Sequence, residues 1–201
     1  MRKAKTATVI LTLLAAAGLA SATTPDGTLR VFAASVSPTG DLTGDFGMPF
    51  SGTVEADSAT GLGVVYEFRM SDRFGIESGI SFANLDFDVK AAGGTAELGS
   101  ATMIPMTFGL DIHLLKKKKV DLFVGPLLAY TSWTDLDGPV GIVELDSDFG
   151  IGAVLGMDVL MGKGSWTFGT GLRYFSSAAG DASAEIDVDP LQVEVGFGRQ
   201  F

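Results

Sequence analysis

The chain of 201 residues has no cysteine and a single histidine, His113. The first absence excludes disulfide scaffolds, thiol catalysis, cysteine-ligated zinc and a lipid anchor on cysteine. The second leaves no multi-histidine metal centre. Charge is also scarce, at 19% of residues, and cations are the scarcer sign, so the formal net charge is −10. A surface of that sign does not suit nucleic acid. Yet 46% of residues are hydrophobic, too many for a disordered polyanion. Beyond the N-terminus no apolar run approaches the roughly 20 residues that a membrane helix needs. The length fits one domain.

The N-terminus reads as a targeting segment. Arg2, Lys3 and Lys5 precede an apolar stretch from Thr8 to Ala20, and Ala20-Ser21-Ala22 has the small-x-small pattern of a cleavage site. The stretch is shorter than a membrane span. Residues 1–22 are therefore expected to be a cleaved signal peptide and 23–201 the mature barrel domain. Cleavage removes three cations and no acid, so the mature chain is more acidic still.

An exported, hydrophobic chain without a hydrophobic helix is explained by alternation. In Phe74-Gly-Ile76-Glu-Ser78-Gly-Ile80-Ser-Phe82 the large apolar residues recur at every second position, the strand period. Ile104, Met106, Phe108, Leu110, Ile112 and Leu114 alternate with Pro105, Thr107, Gly109, Asp111 and His113. Leu191, Val193, Val195 and Phe197 alternate with Gln192, Glu194 and Gly196. Similar segments lie near 28–37, 59–68, 120–133, 148–161 and 165–176. Eight strands result. Their connections alternate between long (38–58, 85–101, 134–147, 177–190) and short (69–73, 115–119, 162–164), as in bacterial outer-membrane barrels with short periplasmic turns.

Charge follows the same division. Most acids sit in or beside the long connections. Arg69, Arg73, Lys116 to Lys119, Lys163 and Arg199 sit at the short-turn end. The predicted fold is all-β: an eight-stranded antiparallel up-and-down transmembrane β-barrel with both termini periplasmic. Its lipid face carries Leu62, Tyr66, Phe74, Ile80, Leu128, Ile151, Phe168 and Leu172, among others. Aromatic residues near the strand ends form the two interfacial belts. A soluble barrel would reverse the faces, and its exterior would then be dominated by glycine, including Gly61, Gly63, Gly75 and Gly79. Its partners are outer-membrane lipids and lipopolysaccharide in a Gram-negative envelope.

An eight-stranded barrel has an interior about wide enough for side chains to fill, which disfavours a general aqueous porin. The residues expected inside are Arg30, Glu67, Glu77, Asp111, His113, Asp121, Asp158, Arg173 and Glu194, mostly in the periplasmic half. Such charges pair or stay wet. They form either a rigid salt-bridged plug or a polar floor that turns hydrophobic cargo sideways. Arg173 and Glu194 are predicted to pair across the last hairpin, with position 176 opposite 191. Pro105 and Pro126 supply no N–H to the ladder and mark a candidate lateral gate, with Pro126 expected opposite Phe108 and with Gly109 and Gly125 leaving space within. No Ser–His–acid arrangement is visible at one height, so no enzyme activity is expected. The acidic pairs in the long connections lack a full Ca²⁺-loop spacing, and neither metal nor cofactor is expected.

Taken in order, the segment 104–114, Phe123-Val-Gly-Pro-Leu-Leu-Ala-Tyr-Thr, Asp148-Phe-Gly-Ile-Gly-Ala-Val-Leu-Gly-Met-Asp, Leu172-Arg-Tyr and the run from Ile186 to Phe201 resemble the OmpW family of small eight-stranded outer-membrane barrels. Leu29-Arg30 with Ser37-Pro38 resembles that family's first strand. The chain departs from the pattern at Arg199, where an aromatic or apolar residue is usual. The resemblance implies a narrow, mostly apolar passive conduit for small hydrophobic molecules, with a lateral exit into the membrane as one route. The alternative is a structural or surface-interaction barrel without transport. Phe201, as a terminal aromatic, resembles the assembly signal read by the barrel assembly machinery after escort by periplasmic chaperones. Intact mass of the protein extracted from outer membranes should correspond to a chain beginning at Thr23; a mass that includes residues 1–22 would refute the signal peptide.

Overall fold

A computed structural model describes residues 27–40, 53–91, 94–117, 119–139, 141–162, 165–181 and 184–201; the signal-peptide segment lies outside these. The strands are β1 (Gly27–Pro38), β2 (Thr53–Ala56), β3 (Ala59–Arg69), β4 (Phe74–Ala91), β5 (Gly94–Lys117), β6 (Val120–Trp133), β7 (Leu136–Gly138), β8 (Gly141–Val143), β9 (Asp148–Leu160), β10 (Trp166–Phe175), β11 (Ala178–Asp181), β12 (Ala184–Asp187) and β13 (Pro190–Gln200). Eight of them, β1, β3, β4, β5, β6, β9, β10 and β13, form a closed antiparallel ring, with β13 paired back to β1. The five short strands extend the hairpins beyond one end.

Registers around the ring set its shape. Gly27 faces Phe68, which faces Ile76, then Leu110. Across β6 the path passes Pro126 to Ala153, Tyr174, Leu191 and finally Ser37. One circuit thus returns ten residues further along β1. That stagger over eight strands corresponds to a strand tilt of about 40°.

Alternation is realised as an inside and an outside. Phe32, Ala34 and Val36 of β1 are buried, while Leu29 and Val31 are exposed. Leu62, Phe82, Phe108, Leu128, Ile151, Leu172 and Val195 line the exterior and are all exposed. Such an apolar exterior is favourable only against lipid.

The span 85–101 corrects the expectation of a loop. β4 and β5 continue their ladder from Leu85↔Ala101 to Ala91↔Gly94, with one bulge near Phe87 and Asp88. The acids there suggested an irregular connection. In fact Leu85, Phe87 and Val89 still point inward while Asp86 and Lys90 point out. Period 2 simply runs past the membrane. Inside this end, Leu85, Phe87, Val89, Leu98, Met103, Trp133, Leu136 and Val188 pack into one apolar cluster. Phe87 meets Trp133 edge-on at 6.3 Å, and the Trp133 indole N–H donates to the Ala178 carbonyl at 3.0 Å.

Glycine is required where β5 and β6 approach. A Cβ at Gly125 would lie 1.8 Å from the Leu110 carbonyl oxygen, whereas one at Gly171 would meet nothing nearer than 3.4 Å. Gly125→Ala should therefore cost about 1–3 kcal/mol and lower the urea midpoint of the lipid-reconstituted barrel. Gly171→Ala should leave it nearly unchanged; equal effects would contradict the close approach.

Candidate functional site: the barrel lumen

The lumen is divided by strand direction. At one end the inward positions are the apolar cluster above. Toward the short-turn end they are Arg30 and Glu67 on β1 and β3, Glu77 on β4, Asp111 and His113 on β5, Asp121 on β6, Asp158 on β9, Arg173 on β10 and Glu194 on β13. All nine are buried. Most of them lie near the short-turn ends of their strands; Arg173, two residues from the opposite end of β10, reaches Glu77 and Glu194 with its long side chain.

Ion pairs link the layer. Arg30 reaches Asp158 at 3.0 Å, Glu77 at 3.5 Å and Glu67 at 3.9 Å. Its guanidinium also lies over the Phe123 ring, 4.7 Å from the centroid. Arg173 donates from Nη1 to Glu77 at 2.6 Å and to the Thr107 hydroxyl at 3.2 Å, and from Nε to Glu194 at 2.9 Å. His113 sits between two carboxylates, with Nδ1 at 2.8 Å from Asp121 and Nε2 at 3.1 Å from Glu67. Glu67 is thus shared by Arg30, His113 and a residue the sequence reading had placed in a turn: Arg69, whose Nη2 reaches Glu67 at 3.0 Å and Asp121 at 2.7 Å. Parity alone could have found it, since Arg69 follows Glu67 by two and shares its face.

Six carboxyl groups face three guanidiniums and one imidazole, so the layer is acid-rich. Asp111 is fully buried and neither of its oxygens has a hydrogen-bond partner among the described residues. Within the layer lies a cavity of about 30 Å³ lined by Arg30, Arg173, Asp158 and Glu194 together with Phe32, Val65, Phe123 and Val154. That is room for about two waters.

Two register expectations are corrected. Arg173 faces Gln192, and Glu194 faces Gly171. The hairpin is displaced by two residues from the predicted alignment, which leaves both faces unchanged. The pair forms along the diagonal, because Arg is long enough to span it. Pro126 stands opposite Leu110, not Phe108. The β5–β6 ladder pairs Gly109 with Leu127 and next Ile112 with Val124, leaving Leu110 and Pro126 unpaired. Pro105 faces Thr131 on β6 without interrupting that ladder. It interrupts the other one: β4–β5 pairs Ile80 with Met106 and resumes at Ala83 with Met103, skipping Ser81 and Phe82 opposite Pro105 and Ile104. The prolines therefore weaken two adjacent seams, not one patch. Gly125 leaves no space within; it admits the Leu110 backbone.

At the short-turn rim, the Phe201 N–H donates to the Gly27 carbonyl at 2.8 Å, and its ring is exposed. Trp166, Phe68 and Phe74 are exposed at the same end, as an interfacial belt requires.

A closed eight-stranded ring with an apolar exterior, an aromatic belt at its short-turn rim and an ion-paired layer in its lumen defines an outer-membrane β-barrel. The family model described as OmpW family matches residues 26–201, and the chain belongs to that family. Among solved structures, it is similar to the outer-membrane protein OprG from Pseudomonas aeruginosa, with a TM-score of 0.71 at 21% identity, covering 88% of this chain and 96% of that one. Neisserial surface protein A aligns with a TM-score of 0.63 at 11% identity over 87% and 97%. The outer-membrane protein AlkL, determined in lipid bilayers, aligns with a TM-score of 0.61 at 19% identity over 90% and 93%. These likenesses show the fold. No curated protein sequence matches the chain.

Removing Arg173 should expose the acid excess. Arg173→Met leaves Glu77 and Glu194 buried without it and should destabilise the barrel by roughly 3–5 kcal/mol. Asp111→Asn replaces a buried carboxyl that has no hydrogen-bond partner among the described residues and should leave stability unchanged or higher. Urea titrations of both variants in lipid vesicles check the contrast, and a larger loss for Asp111→Asn would reverse the assignment.

Proposed function

We propose that the barrel is a narrow passive conduit through which small hydrophobic molecules pass from the outer face into the membrane sideways. One observation carries this reading: the apolar cluster at one end of the lumen gives way to a charged, ion-paired layer toward the other. An apolar molecule descending vertically would have to separate buried ion pairs, at several kcal/mol each. Leaving through the wall costs less where the ladder already lacks a bond.

Of the two seams, that at Pro105 suits the exit better. Its inner side carries Ser81, Ala83 and Met103, in the apolar half. The seam at Pro126 opens beside Asp111, within the charged layer. Export through the signal peptide at 1–22 and recognition of Phe201 by the assembly machinery, after chaperone escort, complete the proposal; they rest on the sequence pattern.

Liposomes containing the refolded barrel should take up an apolar tracer several-fold faster than protein-free liposomes. Pro105→Val should abolish most of that gain, and Pro126→Val should reduce it less. Folding of each variant is checked by heat-modifiable gel mobility. Uptake equal to that of protein-free liposomes would favour a structural or surface-interaction barrel, and undiminished uptake in folded Pro105→Val would move the exit elsewhere.

A further inference from the structure

Arg199 interrupts the apolar outer face of β13, on which Val193, Val195 and Phe197 are exposed. It lies on the outer face of β13, exposed, at the short-turn rim. Its cross-strand neighbours are Leu29 on β1 and Trp166 on β10. Two positions away on the same face stand Phe197 and Phe201. Its guanidinium lies 5.9 Å from the Trp166 ring centroid and 5.5 Å from that of Phe201.

The contrast with the inner face is sharp. Arg30, Arg69 and Arg173 each touch at least two carboxylates. Arg199 makes no ion pair among the described residues. An unpaired cation on a lipid-facing wall is costly at depth, so the side chain must reach the interface. There the surrounding phase itself supplies the counter-charge, as phosphate.

We propose that Arg199, flanked by Trp166 and Phe201, is a binding site for the phosphate of an anionic phospholipid in the periplasmic leaflet. The planar fork of Arg fits a phosphate bidentately, and stacking on two rings preorganises it. The exposed Trp166 contributes the one indole N–H of the group as a second donor. Anionic lipid is favoured over zwitterionic lipid because its phosphate carries no covalently attached cation to compete. The sequence also puts Arg73, Lys116 to Lys119 and Lys163 toward the short-turn end, so a preference for anionic lipid counts for this site only where substitution of Arg199 removes it.

The test is native mass spectrometry of the refolded barrel exchanged into mixtures of phosphatidylglycerol and phosphatidylcholine. The wild type should retain phosphatidylglycerol several-fold over phosphatidylcholine. Arg199→Gln should lose that enrichment, and Arg199→Lys, which keeps the charge without the fork, should retain only part of it. Heat-modifiable mobility in phosphatidylcholine vesicles checks folding. If Arg199→Gln does not fold, the comparison of wild type with Arg199→Lys and Trp166→Phe decides, both being expected to show reduced enrichment. Equal enrichment in wild type and every folded variant overturns the site. Displacement of the lipid by millimolar inorganic phosphate would instead identify a free-phosphate site and overturn the lipid assignment.

Discussion

The hydrocarbon core of a membrane offers no water to an unpaired N–H or C=O, and the closure of β13 onto β1 answers that constraint. Once the ring is closed, each strand has two neighbours and each residue one of two faces. Large apolar side chains go outward because lipid is there. Whatever remains must fit within an eight-stranded interior, which explains the many inward glycines and the crowding of the inward charges against one another. The ten-residue circuit from Gly27 to Ser37 sets which charges can meet. The β3–β4 ladder sets Glu67 directly opposite Glu77, and both lie within reach of the same Arg30.

The ion-paired layer is costly to dismantle but is not efficiently built. Six acids share three arginines and one histidine, so Glu67 and Glu77 each serve two arginines, and Asp111 is left with no hydrogen-bond partner among the described residues. A layer selected only for rigidity would pair its charges evenly or replace them with apolar residues of like volume. The uneven composition keeps a strongly polar surface directly beneath an apolar one. The cavity lies where Arg30, Asp158, Arg173 and Glu194 meet Phe32, Val65 and Val154.

Faces were legible in the sequence, whereas registers were not. Alternation placed Arg30, Glu67, Glu77, Asp158, Arg173 and Glu194 on the inner side, because period 2 specifies a face residue by residue. Register depends on turn geometry and bulges, which leave no mark on periodicity. The Arg173 and Glu194 hairpin was therefore misaligned by two, and Pro126 was set opposite Phe108 when it faces Leu110. Composition misled in two places. Acids at Asp86 and Asp88 suggested a loop where alternation persisted, and the cation at Arg69 suggested a solvated turn where parity with Glu67 put it inside. In both places the period was the better guide, because a side chain's direction is fixed by the backbone before its solvation is decided.

The same reasoning separates the two prolines. A proline removes a donor from one side of its strand only, so which neighbour it releases depends on which edge its N–H would have faced. At position 105 that edge faces β4, and at position 126 it faces β5. Both interrupted seams border β5, one at Pro105 toward β4 and one at Pro126 toward β6. Local opening follows the weakest contiguous set of bonds. Displacing β5 locally at Pro105 uncovers Ala83 and Met103, which lipid can receive. Displacing it at Pro126 uncovers Asp111, which lipid cannot. The asymmetry of the lumen thus restricts where the wall can open without exposing charge, and it does so whichever molecule occupies the lumen.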